Sequence, residues 1–277
     1  MRLPPHDHSH IALTYITHFY CDEPGTFERV QSLLEHYATY PADVLDRTHF
    51  VIVDDGSPMS YEVPGVDLNL TWLRITEDIP WNNPGARNLG VTYAKSDKIV
   101  ISDLDHELPA DTMRHIIDRP ECGRDFFKLY RVYVDGSVHA GHPNLFVMSR
   151  ARFMRLWGYD EHFCGHYAHD DVWFVKFQKW HGSRQRYLPK TFKAHVRTKE
   201  ARAFTHSLVR DQSTNEKLYQ EKRAAIDEHG EYQGHTRRFL DFKWEILVER
   251  ARTTKSEPRV DRGWKKRWWL RLFLPSR

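Results

Sequence analysis

Two apolar runs in this chain end on carboxylates, and that pairing constrains its fold more than any other feature. Phe50-Val51-Ile52-Val53 stops at Asp54-Asp55-Gly56, and Lys98 to Ser102 delivers Asp103-Leu104-Asp105. Short apolar runs of this kind read as buried strands. Helical patterns lie between them: Thr26 to about Tyr40 carries Val30, Leu33, Leu34 and Tyr37 at helical spacing, and Pro84 opens a second helix running to about Ala94, with Asn83 as its cap. Ile11 to Thr17 and Leu70 to Ile75 complete four expected strands. Strands alternating with helices predict a mostly parallel α/β sheet, and open sheets of this class bind ligands beyond the carboxyl ends of their strands. The acidic clusters sit at those ends.

Beyond Pro109 the pattern is mixed, with strands expected over 126–134, 144–148 and 186–188 and a helix over 170–180. From about Ala201 the sequence turns charged and poor in strand formers, which predicts an appended helical region over 201–262. The last fifteen residues, 263–277, form a basic aromatic tail in which Lys265, Lys266, Arg267 and Arg271 accompany Trp264, Trp268, Trp269, Leu270, Leu272 and Phe273. Such a segment suits an anionic membrane surface through 264–273, or packing on the catalytic domain or a partner.

With 277 residues, 40% hydrophobic, the chain has material for one large core and an appendage. Its 41 basic and 38 acidic residues leave a net charge of +3, so no chain-wide basic footprint for nucleic acid exists. Cys21, Cys122 and Cys164 are widely spaced and form no CxxC pair, which reads as ordinary thiols. Residues 4–8 lack the pattern of a signal peptide and no run approaches a membrane span, which predicts a cytosolic protein, peripheral at most to a membrane.

Asp103 and Asp105 are two apart on an extended segment, so both side chains project to one side and can share a hard cation such as Mn2+ or Mg2+. That ion would bridge phosphate oxygens and neutralise a leaving diphosphate. Asp54-Asp55-Gly56 also reads as a plain turn after a strand. Arg87 and Asn88 follow a Pro-Gly helix start, where free backbone donors attract anions, but a solvated helix face has the same composition.

Taken together, Asp54-Asp55-Gly56-Ser57, Pro84-Gly85-Ala86-Arg87-Asn88-Leu89-Gly90 and Asp103-Leu104-Asp105 resemble the nucleotide-binding half of family 2 and related GT-A glycosyltransferases over about residues 10–110. The resemblance implies a GT-A domain over 1–200, a doubly wound mixed sheet. It implies nucleoside contact by Asp54 or Asp55, donor contact by Arg87, Asn88 and the Asp103-Leu104 segment, and metal binding by Asp103 and Asp105. Trp157-Gly158-Tyr159-Asp160-Glu161-His162-Phe163 followed by Gly165 to Phe174 is similar to a segment of galactosyl- and N-acetylgalactosaminyltransferases whose acidic pair opens a helix beneath the acceptor. The common Glu-Asp stands here as Asp170-Asp171, or as His169-Asp170 in a shifted register. Asp170 is the first choice for the general base, with Asp171 the alternative; an acidic helix start has the same look for dipole reasons.

His195, after the last expected strand, sits where many GT-A enzymes place a third metal ligand, and lone histidines are as often structural. Trp81 and Trp173 suit either a sugar-stacking or a wall role. The implied activity is transfer of a hexose or N-acetylhexosamine from a nucleotide sugar, UDP by resemblance, to a glycan or lipid-linked glycan, with inversion. A sugar nucleotidyltransferase would carry a basic Gly-rich loop after the first strand, where this chain has His18-Phe19-Tyr20-Cys21. A catalytically silent scaffold would have no need of three intact acidic sites.

Overall fold

The structure, a computed structural model, describes residues 8–23, 25–197 and 207–253. The chain runs β1 (Leu13–Phe19), α1 (Thr26–Ala38), α2 (Ala42–Leu45), β2 (Thr48–Asp54), β3 (Asn69–Ile75), α3 (Asn83–Thr92), β4 (Lys98–Ile101), β5 (His106–Glu107), α4 (Ala110–Asp118), β6 (Asp125–Lys128), β7 (Tyr130–Val132), β8 (Val138–His139) and β9 (Phe146–Ser149). It continues through α5 (Arg150–Arg155), α6 (Asp170–Trp180), β10 (Arg184–Tyr187), β11 (Lys193–Val196), α7 (Ser213–His229) and β12 (Trp244–Arg250). The basic aromatic tail of 263–277 lies outside the described residues.

Eight strands form one sheet in the order β10-β6-β9-β4-β1-β2-β3-β12. Strands β4, β1, β2 and β3 are parallel, β9 runs antiparallel to β4 and to β6, and β12 runs antiparallel to β3. The two-residue period of a strand splits the apolar side chains between two cores. Leu13, Tyr15, Phe50, Ile52 and Val100 pack with α1 and α4 on one face, while Ile16, Val51, Val53, Ile99 and Ile101 pack with α3 and α6 on the other. Because helices cover both faces, no alternate residue needs to be polar, and Phe50-Val51-Ile52-Val53 is fully buried. Each such side chain contributes about 1.5–3 kcal/mol of burial energy.

Helix α3 approaches the sheet closely at Gly90, where an added Cβ would stand 2.4 Å from Ile16 Cγ2. That contact sets the depth at which Arg87, one turn earlier, meets the strand ends.

The expected strand over 126–134 is broken at Leu129, which points into the core, so that β6 joins the large sheet and β7 a second, four-stranded one of order β5-β11-β7-β8. The region 201–262 differs more. It contributes α7, but Trp244–Arg250 is a strand that pairs Trp244 with Ile75 and Arg250 with Leu70, closing the edge of β3. A register shift between Ile246 and Val248 puts its exposed Glu245 and Glu249 on opposite faces, and charges and bulges of this kind are usual at a sheet edge.

Helix α7 is held by buried polar anchors. Asp160 accepts from Lys222 Nζ at 2.7 Å and from Thr236 N at 3.2 Å. Asn215 Nδ2 donates to the carbonyls of Phe163, His166 and Ala168 at 2.8–3.0 Å. Among the described residues no helix is long and apolar enough to cross a membrane.

Candidate active site

The sheet changes direction between β1 and β4: the chain moves outward through β1, β2 and β3, then returns to place β4 on the other side of β1. A crevice opens at such a point, beyond the carboxyl ends of the strands. Ser102 N donates to Ile16 O at 3.0 Å, continuing the β1/β4 pairing, and the next residue is Asp103. His18 enters from the end of β1 and donates through Nε2 to Asn83 Oδ1 at 2.9 Å. Burial, reinforced by the charge of Arg87, holds the His18 imidazole down to about 4, so it is neutral near pH 7.

Asp103, Asp105 and His106 bring one ligand atom each to within 4.8 Å of one another. His106 is buried, and neither ring nitrogen has an aligned hydrogen-bond partner, although Nδ1 stands 2.8 Å from Asp105 Oδ1. An orphaned buried imidazole beside two carboxylates fits a divalent cation, since metal ligation would satisfy it. Burial works against the charge of Asp103, yet the Arg87 guanidinium, with His142, His18 and His106, outweighs it and holds the carboxyl below the usual range. His195 is exposed on β11, in register with Glu107, and does not belong to this group. The third candidate ligand atom comes instead from His106, the residue directly after the Asp-Leu-Asp segment.

Arg87 organises the crevice. Its side chain is 2% exposed, and it donates through Nη2 to Asp103 Oδ1 and through Nη1 to Asp170 Oδ2, both at 2.9 Å. It also lies over the Tyr159 ring, 5.1 Å from the centroid. Asp170 is the first residue of α6, on the far side of the guanidinium from Asp103. Burial pushes its carboxyl up to about 6, against the opposing pull of Arg87 and with the help of Asp171 and Asp103. Asp171 turns to its own helix and accepts from Val172 N at 2.6 Å.

The backbone that delivers Asp170 is strained. Ala168 and His169 take φ of 77° and 68°, a left-handed pair that costs about 1–2 kcal/mol per residue. Asn215 of α7 holds the Ala168 carbonyl at 2.9 Å and so fixes this turn. The C-terminal helix therefore positions the acid that opens α6.

Several residues expected at a donor site have other duties. Asn88 is fully buried: Nδ2 donates to Tyr159 O and Glu161 Oε1, both at 2.9 Å, and Oδ1 accepts from Tyr159 N at 2.8 Å. It clamps the Trp157–Phe163 segment to α3 and does not face the crevice. Gly158, at φ 66°, makes that clamp possible, because a Cβ there would stand 2.4 Å from Asn88 Oδ1. Asp54 is fully buried and accepts from Ser57 N at 2.8 Å and from Tyr61 Oη, so it forms the turn. Asp55, tied to Asn82 Nδ2 at 3.0 Å, is the member of the pair nearer α3. Leu104 packs into the core on the α1 face. Trp173 is a buried core residue whose Nε1 donates to Gly234 O at 2.8 Å, and Trp81, in the left-handed region at φ 53°, stands 4.5 Å from the Tyr167 ring.

A mixed, doubly covered sheet with acids at its β1/β4 crevice is the GT-A glycosyltransferase fold. Among solved structures the chain is similar to S. aureus TarS. A TarS 1–349 structure in complex with UDP-GlcNAc matches with a TM-score of 0.56 at 12% identity, covering 78% of this chain and 66% of that one. A longer TarS structure matches with a TM-score of 0.53 at 17% identity, covering 78% and 39%. The chain thus spans no more than about two thirds of either TarS chain. A mannosyltransferase from Pyrobaculum calidifontis, in complex with GDP-Man and Mn2+, is similar at a TM-score of 0.46 and 18% identity over 78% of this chain and 64% of that one. No protein-family model matches the sequence, and no curated protein does.

Proposed function

We propose that this chain is a metal-dependent, inverting glycosyltransferase. It moves a hexose or N-acetylhexosamine from a nucleotide sugar, with UDP as the favoured nucleotide, to a hydroxyl of a glycan or glycolipid. The observation that carries this reading is the pair of carboxyls on opposite sides of Arg87. One is held low and anionic, the other is pushed up to about 6. Two carboxyls with pKa values driven apart divide the labour of an active site: the first suits a permanent charge, the second a proton acceptor near neutral pH. The UDP-GlcNAc complex of TarS supports the choice of nucleotide.

A divalent ion, Mn2+ or Mg2+, would be held by Asp103, Asp105 and His106 and would supply charge neutralisation for the departing diphosphate. Asp170 takes the proton of the acceptor hydroxyl as that oxygen bonds to the anomeric carbon. The bond from that carbon to the diphosphate breaks on the opposite face, and its electron pair leaves with the nucleotide. Arg87 keeps Asp170 ionised often enough to serve and spans the gap between base and leaving group.

The test is a panel of nucleotide sugars incubated with purified protein and Mn2+, Mg2+ or EDTA. The expected result is metal-dependent release of nucleoside diphosphate from one donor, lost in Asp103→Asn. Absence of both binding and hydrolysis across the panel overturns the reading.

A further inference from the structure

A second cavity, of about 530 Å³, lies along helix α6 beyond Asp170. Its floor is a single face of that helix: Val172, Val175, Lys176 and Lys179 stand at i, i+3, i+4 and i+7. Lys128 from β6 and Arg223 from α7 close the sides, so four basic side chains line the cavity and no lining residue is acidic. Trp180 and Tyr187 supply aromatic faces beside them.

Such a cluster is unfavourable unless something compensates it. Like charges gathered in a concave, partly dry site repel one another and focus a positive potential. Lys128 is the most committed member. It is 4% exposed, donates to His142 O and Pro143 O, both at 2.9 Å, and stands over the Phe146 ring at 5.4 Å. Burial, opposed by Asp171 and aided by Arg131 and Lys179, pushes its ammonium down to about 7. Lys176 is oriented by the Tyr219 hydroxyl, and Arg223 lies over the Trp180 ring at 5.6 Å. Lys128, Lys176 and Arg223 are therefore held in place by their neighbours, and Lys179 stands exposed at the rim.

We propose that this cavity binds an oxyanion of the acceptor, a phosphate-type group carried by the glycan whose hydroxyl reaches Asp170. From Asp171 to Lys179 the helix rises about 12 Å. That length separates the hydroxyl end of the acceptor from its anionic group by two or three sugar units, with Trp180 and Tyr187 available to the apolar face of a ring. The assignment of the bound molecule as an acceptor rests on the proposed transferase activity; the anion site itself does not.

The experiment is calorimetric titration of the full chain with inorganic phosphate in the absence of divalent ions, comparing wild type, a Lys179→Gln/Arg223→Gln double variant and Asp103→Asn. Phosphate binding that weakens tenfold or more in the double variant and survives in Asp103→Asn is the expected result. Equal binding in wild type and double variant places phosphate outside the cavity and overturns the proposal. Donor hydrolysis measured on the same proteins separates the two claims. A double variant that loses phosphate while no protein hydrolyses any donor keeps the cavity and removes the transferase reading. Competition from phosphatidylglycerol vesicles identifies a lipid headgroup as the source of the anion, and phosphate binding unaffected by them identifies a soluble acceptor; both keep the site.

Discussion

Arg87 Nη1 donates to Asp170 Oδ2 across 2.9 Å, joining helix α3 to the first turn of α6, 83 residues further along the chain. The guanidinium is permanently charged, so it opposes the burial that lifts Asp170. Removing it with Arg87→Gln leaves that burial unopposed, and the acid limb of the pH–rate profile is expected to move above 6. Stability should fall by about 3 kcal/mol, near the low end for breaking a buried pair, because Asp103 keeps 26% of its side chain in water. Urea denaturation and a pH profile of the variant check both effects; an unmoved limb removes the electrostatic role.

Asp170→Asn is expected to lower kcat by about 10²–10⁴-fold while donor affinity changes less than twofold, since a base acts only as the new bond forms. The limb near pH 6 should vanish with it. Asp171→Asn, which alters a helix-capping group, should cost far less. If Asp171→Asn is dead and Asp170→Asn active, the two acids exchange roles.

His106→Ala is expected to weaken Mn2+ binding tenfold or more, and His195→Ala to leave it unchanged, as followed by the paramagnetic resonance of free Mn2+ without substrate. The orphaned ring nitrogens of His106 require this outcome if the ion sits at the group it forms with Asp103 and Asp105. The reverse pattern would move the third ligand to β11.

The parts of this arrangement that could be read from the sequence are those in which a local pattern and a tertiary requirement coincide. Phe50 to Val53 is apolar at every position because both faces of β2 are covered, and the helix opening at Asp170 was marked by acids before an apolar stripe. Trp244–Arg250 is hidden because Glu245, Glu249 and Arg250 are charged, as residues at a sheet edge often are, and charge is also the mark of a surface helix. Asn88 looked like a donor contact, yet an amide offers the same atoms to a ligand and to the Tyr159 backbone, and only the fold decides between them. The choice between His106 and His195 is likewise one of space, since both lie on short strands of the same small sheet.

His49 is fully buried and shares a hydrogen bond with Thr71 Oγ1 at 2.9 Å; burial, chiefly, pushes its imidazole down to about 3. Below pH 6.5 the unfolded chain binds a proton that the folded chain refuses, so stability present above 6.5 is lost on acidification toward 3. The loss is about 1.4 kcal/mol per pH unit. His49→Gln should flatten the stability–pH curve by that slope, as measured by denaturant titration at pH 4 to 7. An unchanged slope would assign the acid sensitivity elsewhere.

Lys222→Met leaves the buried Asp160 carboxylate without its ammonium and is expected to cost about 3–5 kcal/mol. Because α7 also carries Asn215, hydrogen exchange should rise in the 163–169 turn as well as in α7, and kcat should fall although no residue of the crevice has changed. Faster exchange confined to α7 would uncouple the helix from the turn.

Strand β12 has one more consequence, for direction. It runs antiparallel to β3, so its last residues come out at the amino ends of the parallel strands, where Arg252 N meets Asn69 Oδ1 and Thr253 N meets Asp67 Oδ1. The acids of the crevice stand at the opposite rim. Thr253, the last described residue, therefore lies at the rim opposite the crevice. Anything attached at Thr253 would hold the protein by that rim and leave the crevice open on the other side.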